Sequence, residues 1–125
     1  MTRQTEAMRK SILILENDPE IKTILKDKLE NCGFDVRCPV DSYVALEHAQ
    51  NNVLDLIILN DDMPIINGEN TLQILRQQNV DIPAILFLSK IKTAQDFSHF
   101  KACVCMHKPF KIDILISEVH HLLST

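Results

Sequence analysis

The sequence predicts an α/β domain built on a five-stranded parallel sheet with helices on both of its faces. Short apolar runs alternate five times with segments whose apolar residues recur every three or four positions, as in successive βαβ units. The run Leu56-Ile57-Ile58-Leu59 is apolar throughout, which is typical of a strand covered on both faces of a sheet. A chain of 125 residues has the length of one domain and can enclose one core.

This pattern predicts five strands and four helices directly. Asp18 is a candidate N-cap, Pro19 suits the first turn and Gly33 ends the apolar stripe, so this helix is the best defined. We place the strands at Ser11–Leu15, Asp35–Cys38, Asp55–Asn60, Ala84–Leu88 and Cys103–Met106. The other three apolar stripes predict helices at Ser42–Gln50, Glu69–Gln78 and Lys111–Leu123.

A further helix between the fourth and fifth strands has the weakest support. Thr93-Ala94-Gln95-Asp96 has the pattern of a capping box, and only Phe97 and Phe100 would anchor the helix to the core. We expect a helix there because the alternation of strands and helices requires a connection. Residues 1–10 are polar and predict a flexible N-terminal arm, which leaves residues 11–125 as the domain.

Composition excludes several classes of function. The formal net charge is −4 and the lysines are scattered among acids, so we expect no nucleic-acid binding by this chain alone. The first ten residues contain no apolar stretch of signal-peptide length, so we expect a cytoplasmic protein without membrane association. The cysteines lack the spacing of a disulfide framework and fit reduced thiols; they are Cys32, Cys38, Cys103 and Cys105.

Three motifs stand at the predicted carboxyl ends of strands. They are Ile12-Leu13-Ile14-Leu15-Glu16-Asn17-Asp18-Pro19, then Asn60-Asp61-Asp62-Met63-Pro64 closed by Asn67-Gly68, and Lys108-Pro109-Phe110. Together they resemble the receiver domain of bacterial two-component response regulators, and the resemblance extends from Ser11 to the end of the chain. It implies a flavodoxin-like, doubly wound fold, (βα)5 with strand order 2-1-3-4-5, and a role in phosphorelay signal transduction.

The resemblance also identifies the position of the phosphoacceptor. In the family, an aspartate ends the third strand, four residues before the proline of the Met-Pro pair and eight before the glycine. With this spacing, Asn60 corresponds to the phosphoacceptor aspartate, and Glu16 and Asn17 correspond to the family's acidic pair after the first strand. One carboxylate therefore remains where the family has three. Because Mg²⁺ prefers anionic oxygens, we expect weak or absent Mg²⁺ binding, with at most a weak site at Glu16 and Asp62.

Four other positions are matched through the family motifs. Ser89 resembles the hydroxyl residue that contacts the phosphoryl group, and Lys90 then stands at the mouth of the pocket, where a long cation would block it. Cys105 replaces the aromatic residue that swings inward on activation, so the ring that reports phosphorylation is missing. Lys108 matches the family lysine, and with an amide at Asn60 its expected partner is Glu16.

The fifth strand offers a second kind of site. Cys103, Cys105 and His107 alternate, so their side chains share one face of the strand and would present three ligands to a metal. Buried cysteine, however, behaves as a small hydrophobe, and a fourth ligand is not in view. We therefore expect no metal there.

These observations predict a degenerate receiver, or pseudo-receiver, that is not an enzyme. It would bind a protein partner or a second copy of itself through the fourth helix, the fifth strand and the last helix. One alternative is phosphorylation at Asp61 or Asp62, although Asp61 should point to the opposite side of the strand from Asn60. Another is a small metal-dependent enzyme that uses the strand-end acids, disfavoured because two glycines leave no phosphate-cradling loop. The sequence does not identify the partner, the oligomeric state or the context within a larger regulator.

Overall fold

A computed structural model of the chain describes residues 9–89, 92 and 94–123. Most of the predicted arm, residues 1–10, lies outside the described residues, and so do Lys90 and Thr93. Five parallel strands form one sheet in the order β2-β1-β3-β4-β5, which confirms the predicted flavodoxin-like topology. The strands are β1 Ser11–Leu15, β2 Asp35–Arg37, β3 Leu56–Asn60, β4 Ala84–Leu88 and β5 Cys103–His107.

Four α-helices lie where the apolar stripes predict them, and the ends given for three of them are shifted by at most one residue. Asp18 caps the first by accepting hydrogen bonds from the backbone N–H groups of Glu20 and Ile21. Asp41 and Asn67 cap the second and third in the same way. The helices are α1 Pro19–Asn31, α2 Ser42–Asn51, α3 Gly68–Gln77 and α4 Ile112–Leu122.

Between β4 and β5 the described residues contain no α-helix at the predicted place. The described part of this connection forms a single 3-10 turn at Ala94–Phe97. Phe97 is 2% exposed and Phe100 is partly buried against the same core cluster, so two side chains anchor the segment. The chain then turns through Ala102, in a left-handed conformation with φ 48°, and enters β5. The described residues therefore form four α-helices rather than the five of a (βα)5 unit.

Alternation along the strands divides the core into two layers. On β3, Ile57 packs with α2 and α3, whereas Ile58 packs with α1 and α4. Both β3 and β4 are buried over their whole length, as the continuous apolar runs predict. The side chain at the end of β3 consequently faces the α1–α4 layer, and the next residue faces the α2–α3 layer. No helix in the described part of the chain is long and apolar enough to cross a membrane.

Candidate functional site

The three sequence motifs meet at the carboxyl edge of the sheet. Glu16 directly follows β1, Asn60 ends β3 and Lys108 directly follows β5, and parallel strands bring such positions to one edge. Asn60 and Lys108 line a cavity of about 620 Å³, and the buried Glu16 contacts both of them. Its lining consists of Asn17, Asp18, Pro19, Asn60, Asp62, Ser89 and Lys108. The sequence-predicted pocket positions are thus brought together, apart from Cys105 and the undescribed Lys90.

Glu16 carries the buried negative charge of this pocket. Its side chain is 0% exposed, and its Oε1 lies 2.7 Å from Nζ of Lys108, the partner expected from the sequence. The other oxygen, Oε2, accepts hydrogen bonds from the backbone N–H of Asp18 at 3.0 Å and from the Asn60 amide at 3.1 Å. Both carboxylate oxygens are therefore occupied by donors of the same chain.

The Asn60 side chain joins the loops of the pocket. Its Nδ2 lies 3.1 Å from Glu16 Oε2, 2.8 Å from Asn17 Oδ1 and 3.3 Å from the Asp62 carbonyl oxygen. Its Oδ1 accepts the backbone N–H of Asp62 at 3.3 Å. The carboxylate and the carbonyl can only accept, so the amide orientation is determined: nitrogen faces the oxygens and oxygen faces the N–H.

These contacts are a poor match for a magnesium site. Mg²⁺ binds oxygens at about 2.0–2.1 Å in octahedral geometry and is usually held by carboxylates. In the pocket, a nitrogen occupies the space between the oxygens of Glu16, Asn17 and Asp62. Glu16 is the only carboxylate that contacts this nitrogen, and Lys108 already offsets its charge. Without rearrangement of Asn60, the pocket does not present the anionic oxygens that Mg²⁺ prefers.

Asp61 faces the other layer of the fold, as strand alternation predicts. It is 5% exposed, its Oδ1 accepts the backbone N–H of Glu69 at 3.0 Å, and its Oδ2 lies 2.6 Å from Nζ of Lys92. This hydrogen bond raises the pKa of Lys92 above its usual value. Lys92 also lies 5.8 Å above the ring of Phe97. Asp61 is therefore an α3 cap and a lysine partner, held away from the Asn60 pocket.

Sequence reasoning missed Lys92. Its backbone carbonyl lies 2.6 Å from Nε2 of His107, so the strand β5 and the loop before the 3-10 turn are held together around it. Strand alternation already predicts that Asp61 lies on the α2–α3 side of β3, where a buried carboxylate needs a partner. Nothing in the spacing, however, showed which of several cations would reach Asp61, because the path of this loop depends on contacts distant in sequence.

Gly68 allows α3 to approach the strand end closely. A Cβ at this position would lie 2.7 Å from the Asn60 carbonyl oxygen and 2.9 Å from Cα of Asp61. Those neighbours are backbone atoms, so they cannot move aside as a flexible side chain would. Only a glycine at position 68 lets the start of α3 lie this close to the backbone of Asn60 and Asp61.

The remaining predicted positions lie at the edges of the pocket or beyond it. Ser89 is exposed and lines the cavity, whereas Cys105 is partly buried beside Cys103 on the α2–α3 side of β5. Burial raises the pKa of Cys103 to about 12 and also raises that of Cys105, so both are protonated at neutral pH. Among the described residues, no three His, Cys, Asp or Glu side chains are grouped as metal ligands.

A profile of the response regulator receiver domain matches residues 12–120. The chain belongs to this family. Receiver domains are signalling modules of two-component systems and interact with other proteins of the phosphorelay. The family assignment agrees with the fold and with the meeting of the three motifs at one edge of the sheet.

Relatives of known sequence are consistent with this receiver assignment. The chain is 34% identical over 83 residues to the alkaline phosphatase synthesis transcriptional regulatory protein PhoP of Bacillus subtilis (strain 168), which covers 66% of this chain and 35% of that protein. It is 33% identical over 116 residues to the response regulator ArlR of Staphylococcus saprophyticus, covering 90% and 51%. It therefore spans about a third to a half of these curated relatives.

A solved receiver structure has the same fold as this chain. The receiver domain of the Francisella response regulator 1452 superposes with a TM-score of 0.84 at 29% identity, covering 93% of this chain and 98% of that one. The agreement extends over nearly the whole domain.

The surface predicted for partner binding contains a groove between β5 and α4. The receiver's β5 is an edge strand that pairs only with β4 in the described sheet. The groove has a volume of about 370 Å³ and is lined by Val104, Cys105, Met106, Asp113, Ile114, Ser117 and Glu118. Ile114 is 57% exposed, so an apolar side chain stands at the rim of this groove.

Proposed function

We propose that this protein is a degenerate receiver domain that acts without phosphorylation, as a protein-interaction module of a phosphorelay. The observation that supports this most strongly is the Asn60 amide. At the position matched to the phosphoacceptor, Nδ2 donates toward the oxygens of Glu16, Asn17 and Asp62. These internal hydrogen bonds occupy the polar groups around Asn60. An incoming phosphoryl group would therefore meet an amide rather than a carboxylate at the acceptor position.

The chemistry of an amide supports the same conclusion. The lone pair of an amide oxygen is delocalised and carries no full charge, so Asn60 is a poor nucleophile toward phosphorus. Its oxygen already accepts the N–H of Asp62. The family lysine, Lys108, is held by Glu16 at 2.7 Å and is therefore engaged before any phosphoryl group arrives. Each of these parts of the acceptor machinery is either replaced or occupied.

Weak or absent Mg²⁺ binding is part of this proposal. Without a bound cation, the clustered oxygens of Glu16, Asn17 and Asp62 need hydrogen-bond donors. The two N–H groups of the Asn60 amide provide them. Ser89 lines the cavity, but without a phosphoryl group its hydroxyl has no anion to contact.

We further propose that the interaction surface is the β5–α4 groove together with the neighbouring 3-10 turn. A switch needs an input that binds two states differently and an element that changes between them. Asn60 removes the usual input, and Cys105 replaces the usual aromatic element at the groove. The groove should therefore stay in one conformation and bind a protein partner or a second copy constitutively, anchored by Ile114.

Acetyl phosphate with Mg²⁺, followed by intact-mass spectrometry, tests the pocket. We expect no phosphoryl adduct on the wild-type chain. An adduct that Asp61→Asn or Asp62→Asn abolishes would instead establish one of those acids as the acceptor, and hydrolysis of a generic phosphoester by the wild type would establish an enzyme. The double variant Asn17→Asp/Asn60→Asp is the matched control that restores the family's carboxylates.

Self-association measured by sedimentation tests the groove. We expect any dimer to be weakened by Ile114→Glu and to be indifferent to beryllofluoride with Mg²⁺. A tenfold change in affinity on adding beryllofluoride, about 1.4 kcal/mol, would show that a working switch survives and would refute the constitutive part of the proposal.

A further inference from the structure

Negative charge is segregated in one third of the molecule. Between Arg37 and Arg76 the sequence contains six Asp and Glu residues but no Lys or Arg. The formal charge of the whole chain is only −4, so the remainder carries a small positive excess. This segment forms α2, β3 and α3, with the loops between them. Lys92 pairs with two of these acids, Asp61 and Glu69, whereas Asp41, Glu47 and Asp62 form no salt bridge among the described residues.

Exposed apolar side chains lie on this acidic side, at the carboxyl edge of the sheet. Val40 is 81% exposed, Tyr43 59% and Ile65 77%. The hydroxyl of Ser42 donates a hydrogen bond of 2.7 Å to the carbonyl of Ile66, which ties the start of α2 to the β3–α3 loop. This bond brings the three apolar residues to the same end of the domain.

Three acids belong to the same region. Asp41 precedes α2 and caps it, Glu47 lies one turn after Tyr43 on that helix, and Asp62 is exposed in the β3–α3 loop. We call the six residues the acidic apolar surface: Val40, Asp41, Tyr43, Glu47, Asp62 and Ile65. An apolar centre with charges of one sign around it has the composition of a protein-binding surface.

Ile65 has a backbone conformation that is unfavourable for isoleucine. Its φ is 70°, in the left-handed region, where Gly and Asn fit and a β-branched side chain is strained. The side chain is 77% exposed, so little packing within the domain compensates for this strain. Strained residues of this kind are concentrated at functional sites. The observation points to a use of the Ile65 side chain outside the isolated domain.

We infer that the acidic apolar surface binds a basic, amphipathic segment of a partner protein. An apolar side chain of the partner would contact Val40, Tyr43 and Ile65, and flanking Lys or Arg side chains would meet the acids. Pairing of this surface with itself in a twofold dimer would oppose like charges. Nucleic acids and anionic membranes would be repelled for the same reason. The surface is separate from the β5–α4 groove, and Asp62 is the residue that it shares with the Asn60 pocket.

A designed peptide supplies the probe. A helical peptide of Leu and Lys at amphipathic spacing is titrated into the ¹⁵N-labelled full chain, and a peptide with Glu in place of Lys is the control. We expect amide shifts at Val40, Tyr43, Asp62 and Ile65 with the Lys peptide, weakened by added salt, and none with the Glu peptide. Equal binding of both peptides, or shifts confined to the β5–α4 groove, would overturn the inference.

Variants separate binding from folding. Ile65→Asn removes the apolar side chain but keeps a residue that enters the left-handed region readily, so the Tm should stay the same or rise. Affinity for the Lys peptide should fall about fivefold. Glu47→Lys should also weaken binding. Val53→Asn is the matched control, because Val53 is 89% exposed but precedes β3 at the opposite edge of the sheet. Unchanged affinity in Ile65→Asn, or an equal loss in Val53→Asn, would contradict the proposal.

Discussion

Asn60 and Asp61 are neighbours in the chain but belong to opposite layers of the molecule. On the α1–α4 side, Asn60 lies beside Glu16, which is paired with Lys108 at 2.7 Å. On the α2–α3 side, Asp61 is paired with Lys92 at 2.6 Å. Each layer thus has a buried carboxylate and a lysine at the strand end. The difference is that the first layer also holds an amide where the receiver family has a second acid.

This comparison shows how charge balance constrains the pocket. A buried carboxylate is tolerated when a cation and hydrogen-bond donors satisfy it, and a second one without a cation is not. Asn60 is neutral and donates two N–H groups, so it supports Glu16 without upsetting the pairing with Lys108. Substitutions that alter one layer at a time should therefore have unequal effects.

Restoring acids on the α1–α4 side should cost the most. In the metal-free double variant Asn17→Asp/Asn60→Asp, oxygens replace the donors that now face Glu16 and the Asp62 carbonyl, and Lys108 offsets only one charge. We expect a loss of about 4 kcal/mol in the free energy of unfolding, measured by urea denaturation, and partial recovery with Mg²⁺. Asp61→Asn is the control on the other layer. A metal-free double variant as stable as the wild type would refute the charge argument.

Removing the lysines should reveal the same asymmetry. Lys108→Met leaves Glu16, whose side chain is 0% exposed, without its cation, and we expect a loss of about 3 kcal/mol. Lys92→Met removes a side chain that is 37% exposed, so solvent already screens its pairing with Asp61 and the loss should be about 1 kcal/mol. Thermal melts of the two variants under identical conditions give the comparison. Equal losses would show that burial does not distinguish the two pairs.

Gly68→Ala should disturb both layers at once, because the added Cβ meets the backbone of Asn60 and Asp61 at 2.7–2.9 Å. We expect a loss of about 2 kcal/mol, the usual cost of overpacking. Chemical shifts should change around Glu16 and Lys92 alike. The matched control is Gly33→Ala, whose Cβ would meet no atom within 4 Å but whose φ of 96° is strained for alanine. Gly33→Ala should therefore destabilise without moving either site.

Alkaline pH should weaken the pairing of Asp61 with Lys92, and this is the smallest effect. The pKa of Lys92 is raised above 10.5 by Asp61, so its stabilising contribution is complete below pH 10.5 and is lost as pH rises through the higher folded value. Burial raises the pKa of Cys103 from 9.0 to about 12. Above pH 9.0 the unfolded chain loses this proton while the folded chain keeps it, so Cys103 also lowers the stability as pH rises from 9.0 to about 12. In a Cys38→Ala/Cys103→Ala/Cys105→Ala background, which removes the thiols whose pKa burial raises, Lys92→Met should reduce the remaining alkaline slope. An unchanged slope would exclude Lys92 as its source.

The sequence predicts most of the fold because its signals are local. Continuous apolar runs identify β3 and β4, and capping residues such as Asp18 mark the helix starts. The prediction for the connection after β4 failed because a capping-box pattern at residues 93–96 does not specify the number of helical turns. Phe97 and Phe100 anchor the described part, which forms one 3-10 turn.

For the candidate site, the sequence predicts positions better than contacts. Register and strand alternation bring Glu16, Asn60 and Lys108 together and separate them from Asp61. The pairing of Lys92 with Asp61, and the orientation of the Asn60 amide toward three oxygens, depend on the exact placement of loops distant in sequence. Such contacts lie beyond what residue types and spacing determine.

We propose that the Asn60 amide occupies the place that a metal ion would need. The most direct measurement is a Mg²⁺ titration of the ¹⁵N-labelled protein, in which the side-chain amide of Asn60 and the backbone amide of Asp62 are followed. We predict no saturable shift of either signal at millimolar Mg²⁺, whereas the double variant Asn17→Asp/Asn60→Asp responds at Asp62 under the same conditions. A saturable shift of the wild-type Asn60 amide at millimolar Mg²⁺ would contradict this claim.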